Sequence, residues 1–411
     1  MERAEALAGI RVVDLSWIVA GPQCTRILAD FGAEVIRVEY GQTLDSIRMT
    51  PPVVEGKGGA TVSGLFNNLN RNKLSVTVNV MHPRGMELLR RLISVSDVVV
   101  ENYSSRVLER WGLGYEEQCR LRPDIIYLSL SGFGHSGRCR DYTTWGPTAQ
   151  ALSGLTFMSG LPGHEPAGWG FSYMDHTAGF YGCMAILMAL HHRNRTGQGQ
   201  YIDLSQVEAG IVVTGPSILD YTVNGRPYRR PGDPPGNRSI HPSVAPHGAY
   251  RCRGEDRWCA ISVFSEEEWR ALCRVMGDPA WAQAPEFATN LERVRNQDGL
   301  DSHIEEWTLQ HAPEEAMSLL QQAGVPAGVV QTAQDKVDHD PQLRFRGFLP
   351  EAEHPEIGAY KVEGVPLQMS RSPWRLKGAS PVLGSANSYV FGELLGLADA
   401  EIGELAAQGA I

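Results

Sequence analysis

Short apolar runs alternate with amphipathic stretches through the opening of the chain. The segment GIRVVDL contains an apolar run, and a turn at Gly21-Pro22 then leads into a stretch with helical spacing that ends at Gly32. A second apolar run continues through Val38. Strand-length runs on either side of a helix-length stretch predict a βαβ unit at the start of the chain.

The same alternation continues after this unit. Strand-like runs cover 74–80, 97–101 and 125–130, and HPRGMELLRRLISVS supplies helical spacing between the first two. Strands that alternate with helices are typical of a parallel sheet with helices packed on its faces. We therefore predict an α/β fold, in which YIDLSQVEAGIVVTGPSILDY adds a further strand that runs into a helix.

A second region begins where proline and glycine become dense, in NGRPYRRPGDPPGNRSIHPSVAP, which predicts a linker or functional loop. The following residues contain the hairpin-like AYRCRGEDRWCAISV, the amphipathic SEEEWRALCRVMG and a short strand in AGVPAGVV. A chain of 411 residues also exceeds a comfortable single core. We predict a large domain from 1–224 and 332–411, and a smaller α+β domain over 225–331.

The longest apolar stretch, Gly179–Leu190, is too short to span a bilayer, because Tyr181, Gly182 and Cys183 interrupt it and HHRNR follows. It predicts a buried helix. The N-terminal residues are partly acidic and contain no long apolar run before a cleavage site, which disfavours a secretory signal. We expect a cytoplasmic protein that makes no membrane contact.

Composition and charge limit the classes of partner. Hydrophobic residues make up 42% of the chain and charged residues 20%, as in ordinary globular proteins. The formal net charge of -10 disfavours nucleic acid and anionic membranes, although a local basic pocket can still hold a phosphorylated ligand. Seven cysteines and twelve histidines form no zinc spacing, so we expect no metal and reduced thiols.

Two common kinds of enzyme are disfavoured by their missing motifs. A leading βαβ unit suggests a nucleotide-binding dehydrogenase, and Glu39 lies near the position of a ribose-binding acid. However, SWIVAGPQC stands where such a protein needs GxGxxG, so the close backbone approach to a pyrophosphate is not provided for. A serine hydrolase of the GxSxG type is also unsupported, because that pentapeptide does not occur.

Asp175 is the most informative candidate for chemistry, because it lies where an aromatic and glycine-rich segment turns into an apolar helix. One interpretation is a helix N-cap, for which aspartate is among the best residues. The other is a nucleophile that the helix N-terminus keeps ionised at neutral pH. Trp169, Phe171 and Tyr173 would then exclude water from it, although aromatic residues are more often simply core.

The chain resembles the class III CoA-transferases, a family that includes formyl-CoA transferase and carnitine CoA-transferase. The resemblance runs nearly end to end and depends on the order of its motifs. These are LAGIRVVDLSWIVAGP, LADFGAEVIRVE, NRNKLSVTVNVMHPRG, SDVVVENY, YMDHTAG, RNRTGQGQYIDLSQVEA, AGVPAGVV and PVLG. It implies a Rossmann-like large domain built from both termini, a smaller domain and an interlocked homodimer. It also implies acyl-CoA and carboxylic acid substrates, with no permanently bound cofactor.

Carried onto this sequence, the resemblance makes Asp175 the nucleophile that forms aspartyl-anhydride and aspartyl-CoA thioester intermediates. It places coenzyme A against seven residues: Val19, Ala20, Val78, Met81, Asn102, Tyr103 and Arg110. Arg110 would contact phosphate or ribose, since guanidinium binds phosphate oxygens in a bidentate manner. A solvated arginine on a short helix is the alternative role for Arg110.

Some positions depart from formyl-CoA transferase. That enzyme has glutamine at Val19, arginine at Tyr40, lysine at Met81 and a glycine-rich lid where this chain has PGDPPGNRSIHP. A small acceptor such as oxalate is therefore not expected. Four side chains instead suit a bulkier, even aromatic, acid: Trp17, Trp145, Trp169 and Tyr173. Arg138 or Arg140 in GRCRDYTTW would replace the lost phosphate contacts.

Two alternatives stay open. Relatives of the same fold racemise 2-methylacyl-CoA with the same aspartate and a histidine. That histidine aligns with Trp145, so this chain lacks the second acid/base group at that position. His135 and His176 are nearby in sequence but lie at other motif positions. The chain would otherwise be a supporting subunit that works with a homologue in a hetero-oligomer. Retention of Asp175 counts against that role.

Overall fold

A six-stranded parallel sheet organises the larger part of the molecule. The computed structural model describes residues 5–159, 163–227 and 236–411. The strands are β1 (Arg11–Asp14), β2 (Glu34–Glu39), β3 (Leu74–Thr77), β4 (Val98–Glu101), β5 (Ile126–Ser131) and β6 (Gln200–Ser205). Their spatial order is β3-β2-β1-β4-β5-β6, and every neighbouring pair is parallel. This order reverses between β1 and β4, which is where open α/β sheets bind ligands.

Helices connect these strands. Before β6 they are α1 (Ala20–Asp30), α2 (Gly64–Leu69), α3 (Pro83–Ser94), α4 (Val107–Arg110), α5 (Tyr115–Leu121), α6 (Gly146–Leu152), α7 (Leu155–Met158) and α8 (Tyr173–Thr196). After β6 come α9 (Gln206–Val213) and α10 (Gly215–Asn224). The predicted βαβ unit, the next three strands and the helix after β3 are therefore confirmed, as is the α/β class.

Both faces of the sheet carry apolar cores, as parallel sheets require. On one face Val13, Ile36 and Val76 pack with α3 residues, and on the other Val12 and Val35 pack with residues of α1 and α8. The C-terminal segment returns to this sheet, where the Ala386 amide donates to Ser75 O at 2.9 Å and the Asn79 amide donates to Ala410 O at 2.9 Å. Both ends of the chain thus build one compact unit.

This compact unit contains Met1–Phe157, Gly168–Ile218 and Gln342–Ile411. Its C-terminal part includes α15 (Pro341–Phe345), the hairpin of β10 (Glu351–His354) and β11 (Gly358–Lys361), and α16 (Asp399–Ala407). The first residue of α15, Pro341, is the last residue of the second unit. Within the described ranges, no helix is both long enough and apolar enough to cross a membrane. Helix α8, predicted to be buried, buries only one side, and Phe180, Met184 and Met188 are exposed.

The second unit contains Met158–Ala167 and Leu219–Pro341. Strands β7 (His247–Arg251), β8 (Trp258–Ser262) and β9 (Ala327–Val329) form an antiparallel sheet, which confirms the predicted hairpin and short strand. Its helices are α11 (Glu266–Val275), α12 (Asn290–Arg295), α13 (Gln297–Thr308) and α14 (Pro313–Gln322). The amphipathic segment SEEEWRALCRVMG forms α11, as predicted, and a capping box between Ser265 and Glu268 begins this helix.

Candidate active site

The loop from β1 to α1 is fixed by side chains from the segments that follow β4 and β2. Asn102, which follows β4, accepts a hydrogen bond from the Trp17 amide at 2.7 Å and donates one to Trp17 O at 2.8 Å. Asp45 accepts from the Ile18 amide at 2.9 Å, and Ile18 has a positive φ of 64°. A β-branched residue rarely adopts that conformation, so these hydrogen bonds hold a strained turn in place.

A buried ionic network lies behind this loop. Arg37 Nη2 donates to Asp45 at 2.6 Å, and its Nε lies 3.1 Å from Glu39. Arg48 donates to both carboxylate oxygens of Glu39, at 2.8 and 2.6 Å. Although burial opposes it, the neighbouring Arg37 and Arg48 charges lower the pKa of Glu39. The Glu39 carboxylate is thus paired with two arginines.

Asp175 lies in the first turn of α8, three residues after the N-cap. The N-cap is Ser172, in a left-handed conformation with φ 49°, so the N-cap interpretation of Asp175 was wrong. The Asp175 residue is 9% exposed, and its Oδ1 accepts a 2.7 Å hydrogen bond from Gln206 Nε2. Gln206 is the first residue of α9 and is buried as well. The amide therefore orients one oxygen of the carboxylate.

The second oxygen of Asp175 faces a glycine. A Cβ added to Gly146, the first residue of α6, would lie 2.2 Å from Asp175 Oδ2 and 3.0 Å from its Cγ. Any other residue at position 146 would therefore collide with the carboxylate or displace it. Because the glycine has no side chain, Oδ2 can pack directly against the backbone of residue 146.

Burial decides the proton affinity of this carboxyl group. Desolvation raises the pKa of Asp175 above its ordinary value, and the hydrogen bonds from Gln206 and Ser172 lower it by less. The helix terminus was expected to favour the anion, whereas the net shift is in the opposite direction. A desolvated carboxylate is a stronger base, and therefore a stronger nucleophile when ionised, than one in water.

Asp175 lies in the wall of a cavity of about 260 Å³. Apolar side chains from the β1–α1 loop and β5 meet polar side chains from the 140–146 segment there. The lining residues are Ile18, Val19, Asn102, Tyr103, Ser104, Leu130, Ser131, Gly132, Arg140, Tyr142, Thr143, Thr144, Trp145, Gly146, Asp175 and Gln206. The structure thus brings Val19, Asn102, Tyr103 and Trp145 together with Asp175.

A second cavity, of about 490 Å³, lies at the carboxyl ends of β1, β2 and β3. Its lining residues are Leu15, Trp17, Val38, Glu39, Tyr40, Gln42, Thr43, Val78, Asn79, Val80, Met81, Tyr103 and Trp111. Tyr103 lines both cavities, and its ring lies 6.1 Å from Trp17 and 5.4 Å from Trp111 between centroids. Of the predicted residues, Val78, Met81 and Trp17 are therefore here.

The remaining predicted residues line neither cavity. Ala20 is buried as the first residue of α1, and Arg110 is exposed at the end of α4. Trp169 and Tyr173 contact each other edge to face, with ring centroids 5.2 Å apart. Residues 231–235 of the predicted lid segment PGDPPGNRSIHP lie outside the described residues.

Two contributors to the site were not identified from the sequence. Gln206 lies within the motif RNRTGQGQYIDLSQVEA, and Gly146 directly follows Trp145, so each stands in or beside a segment that the sequence marks. Nothing local showed that either residue would contact Asp175. Over the described ranges, no cluster of three or more His, Cys, Asp or Glu side chains is arranged to hold a metal ion. The site therefore offers a buried carboxylate, an amide donor and an adjoining pair of cavities.

Comparison with known proteins assigns the chain to a class. Residues 7–387 match the model of CoA-transferase family III, and the chain belongs to that family. It is 34% identical to succinyl-CoA:D-citramalate CoA-transferase of Chloroflexus aurantiacus over 98% of both chains. It is 32% identical to succinate-glutarate CoA-transferase of Agrobacterium fabrum over 95% of this chain and 96% of that one.

A solved structure shows the same fold. A CaiB/BaiF family protein from Brucella suis superposes with a TM-score of 0.86 at 31% identity, and the match covers 95% of this chain and 100% of that one. The resemblance to the class III CoA-transferases is thereby confirmed over nearly the whole chain. An enzyme of this family uses CoA thioesters as substrates.

Proposed function

We propose that this CoA-transferase works through covalent intermediates on Asp175. Asp175 Oδ2 attacks the thioester carbon of the donor acyl-CoA, the carbon–sulfur bond breaks, and CoA leaves as the thiolate. The thiolate then attacks the aspartyl carbonyl of the mixed anhydride and releases the donor acid. The observation that carries this proposal is the buried Asp175 carboxylate in a cavity wall, with Oδ1 bound by Gln206 and Oδ2 beside a glycine.

The second half of the reaction reverses the first. The acceptor carboxylate attacks the aspartyl-CoA thioester and expels CoA thiolate, which then attacks the acceptor carbonyl of the new anhydride. The new acyl-CoA leaves, and the Asp175 carboxylate is regenerated. Gln206 Nε2 donates to Oδ1, so it can also stabilise the oxyanion that forms when the aspartyl carbonyl is attacked.

We infer that coenzyme A lies across both cavities. The larger cavity occupies the sheet edge where Rossmann-like folds bind nucleotides, and Tyr103 borders both it and the cavity of Asp175. The nucleotide would contact Val78 and Met81, and the pantetheine would pass Tyr103 and Val19 toward Asp175. Asn102 supports this binding path by holding the Trp17 backbone, because its side-chain amide hydrogen-bonds both the N–H and the C=O of Trp17.

We infer an acceptor larger than oxalate. The named relatives act on D-citramalate and glutarate, and the Asp175 cavity offers Trp145 as a large flat wall. Aromatic acids belong in the same substrate panel because of that side chain. The predicted lid, homodimer and cytoplasmic location remain predictions.

The decisive experiment follows CoA exchange by mass spectrometry with a panel of acyl-CoAs and free acids. With a heavy-oxygen-labelled acceptor carboxylate, one labelled oxygen should appear in the peptide that contains Asp175, because the anhydride passes an acceptor oxygen to the aspartate. Asp175→Ala and the isosteric Asp175→Asn should both lose transfer while the protein stays folded, since Ser172 and not Asp175 is the N-cap. A folded variant with full activity would refute the mechanism.

The alternatives give different results in the same assay. A 2-methylacyl-CoA racemase scrambles stereochemistry without an acid acceptor, and it needs a second acid/base group. No histidine is among the residues that line the Asp175 cavity, where Trp145 occupies the position considered for it. A supporting subunit would show neither activity until a homologue was added, and native mass with one gene product would reveal that requirement.

A further inference from the structure

Arg140 is the one cationic side chain among the residues that line the Asp175 cavity. Its nearest carboxylate among the described residues is that of Asp141, and their ion pair is long, 3.9 Å from Nε to Oδ2. Asp141 is itself well exposed and accepts a 2.9 Å hydrogen bond from Ser105 Oγ through its other oxygen. The Arg140 side chain is 37% exposed, so most of its donors stay available to a ligand.

The segment around Arg140 forms a polar wall of the cavity. Arg140 and the residues from Tyr142 to Gly146 all line it, and three of them, Tyr142, Thr143 and Thr144, carry hydroxyl groups. The wall is closely packed at its base, because a Cβ on Gly132 would lie 1.8 Å from Thr144 Oγ1. A guanidinium group among hydroxyl donors is a suitable environment for a carboxylate.

Charge balance points to an anionic substrate end. The Asp175 carboxylate offsets the Arg140 charge before the reaction, but its acylation removes that negative charge and leaves the guanidinium as the one full charge among the lining residues. A substrate with a neutral tail would leave Arg140 without a carboxylate to bind inside the cavity. A substrate with a second carboxylate would offset the guanidinium charge while its reacting carbonyl meets Asp175.

We propose that Arg140 binds the distal carboxylate of a dicarboxylic acyl group, so that it selects dicarboxylic acids over monocarboxylic ones. This inference rests on the proposed transferase function and assigns its substrate class. It applies to the donor thioester and the acceptor acid alike, because both acyl groups react at the same aspartate. Arg140 is thus a specificity residue, distinct from the phosphate-binding role that the sequence first suggested for it.

The test compares glutarate with glutaramate, the half-amide of the same length, which keeps the reacting carboxylate but has a neutral distal end, as acceptors. In a ping-pong reaction, kcat/KM for the acceptor does not depend on the donor half, so one donor serves for all variants. The unmodified enzyme should prefer glutarate. Arg140→Gln should lower kcat/KM for glutarate by about 10- to 100-fold, the effect of one charged hydrogen-bonded contact, and leave glutaramate nearly unchanged.

Retained transfer to glutaramate shows that Arg140→Gln is folded. Arg140→Lys should recover part of the preference, and Arg138→Gln should keep all of it, because Arg138 is exposed and lines neither cavity. An unchanged preference in Arg140→Gln, or an equal loss for both acids, overturns the inference alone. Failure of the unmodified enzyme to transfer CoA to any acid overturns the proposed function, and this inference with it.

Discussion

Glu101 is a fully buried carboxyl group under the segment that carries Asn102 and Tyr103. Tyr127 Oη donates to its Oε1 at 3.0 Å, and the Tyr103 amide donates to its Oε2 at 2.7 Å. His135 Nε2 lies 3.6 Å from Oε1. Burial raises the pKa of Glu101 to about 8, although both hydrogen bonds oppose the shift. The carboxyl group that supports Tyr103 is therefore mostly protonated at neutral pH.

This raised pKa makes stability depend on pH. Between about pH 5 and 8 the folded state keeps a proton on Glu101 that the unfolded state has released, so the free energy of unfolding falls as pH rises. The contribution approaches about 1.4 kcal/mol per pH unit. Glu101→Gln should remove it, because a neutral amide can accept from the Tyr103 amide and donate to Tyr127.

Urea unfolding of both proteins from pH 5 to 8 measures the effect. Other groups titrate in this range, so the difference between the two slopes is the relevant quantity, and the variant should have the flatter one. Parallel slopes would show that Glu101 is ionised in the folded protein and would contradict the prediction.

The site residues differ in how far their place in the site could be predicted from the sequence. Asp175 was found because a local motif surrounds it, and the structure places it in a cavity wall. Gln206 and Gly146 were missed because they reach Asp175 only through the packing of α6, α8 and α9, across about 30 residues of chain in each direction. Contacts of this kind depend on how helices are packed together, which neither periodicity nor a motif describes.

Among the elements, the crossing of α1 and α8 sets the position of Asp175. Glycines on α8 allow the two helices to approach closely. A Cβ on Gly179 would lie 2.8 Å from Ala20 O and 2.8 Å from two side-chain carbons of Gln23, while one on Gly182 would lie 3.3 Å from Cys24 Sγ. Since Gly179 is one turn beyond Asp175, the crossing fixes the positions of both Asp175 and the β1–α1 loop.

Gly179→Ala should therefore lower stability and activity together. The new methyl group meets a backbone oxygen that cannot move without shifting α1, and overpacking of this kind costs about 1 to 3 kcal/mol. Gly403→Ala is the matched control, because Gly403 lies inside α16 with open space around its Cα. A helix interior favours alanine over glycine, so the control should gain about 0.5 to 1 kcal/mol.

Thermal and urea unfolding of the two variants give the comparison. Equal stabilisation by both substitutions would mean that α1 and α8 are not in close contact at Gly179. Periodicity predicted both helices correctly, yet it treated Gly182 only as an interruption of an apolar run and gave Gly179 no role. Their function becomes visible only when the partner helix is known.

At the scale of the whole molecule, α8 and α9 leave an apolar surface uncovered. Phe180, Met184 and Met188 recur every four residues along one side of α8, and Met188 is 57% exposed. On α9, Val212 is 63% exposed. Contiguous exposed apolar side chains of this kind usually mark a protein contact. The homodimer implied by the family resemblance would provide a covering surface, and sequence periodicity alone could not distinguish it from an internal core.

We expect a second copy of the chain to cover this surface. Native mass and gel filtration of the purified chain should give a dimer. Met188→Glu should weaken or abolish the dimer, because a charged side chain buried at the contact loses its solvation without gaining a partner. Phe345→Glu is the control, since Phe345 is 88% exposed and lies on the short α15 rather than on α8 or α9. A monomeric unmodified protein would contradict the prediction, as would a Met188→Glu variant with an unchanged dimer mass.

Activity adds a further comparison. If the Asp175 cavity depends on the partner, Met188→Glu should lose transfer in proportion to its loss of dimer, whereas full activity in a monomeric variant would show that one chain contains the complete site.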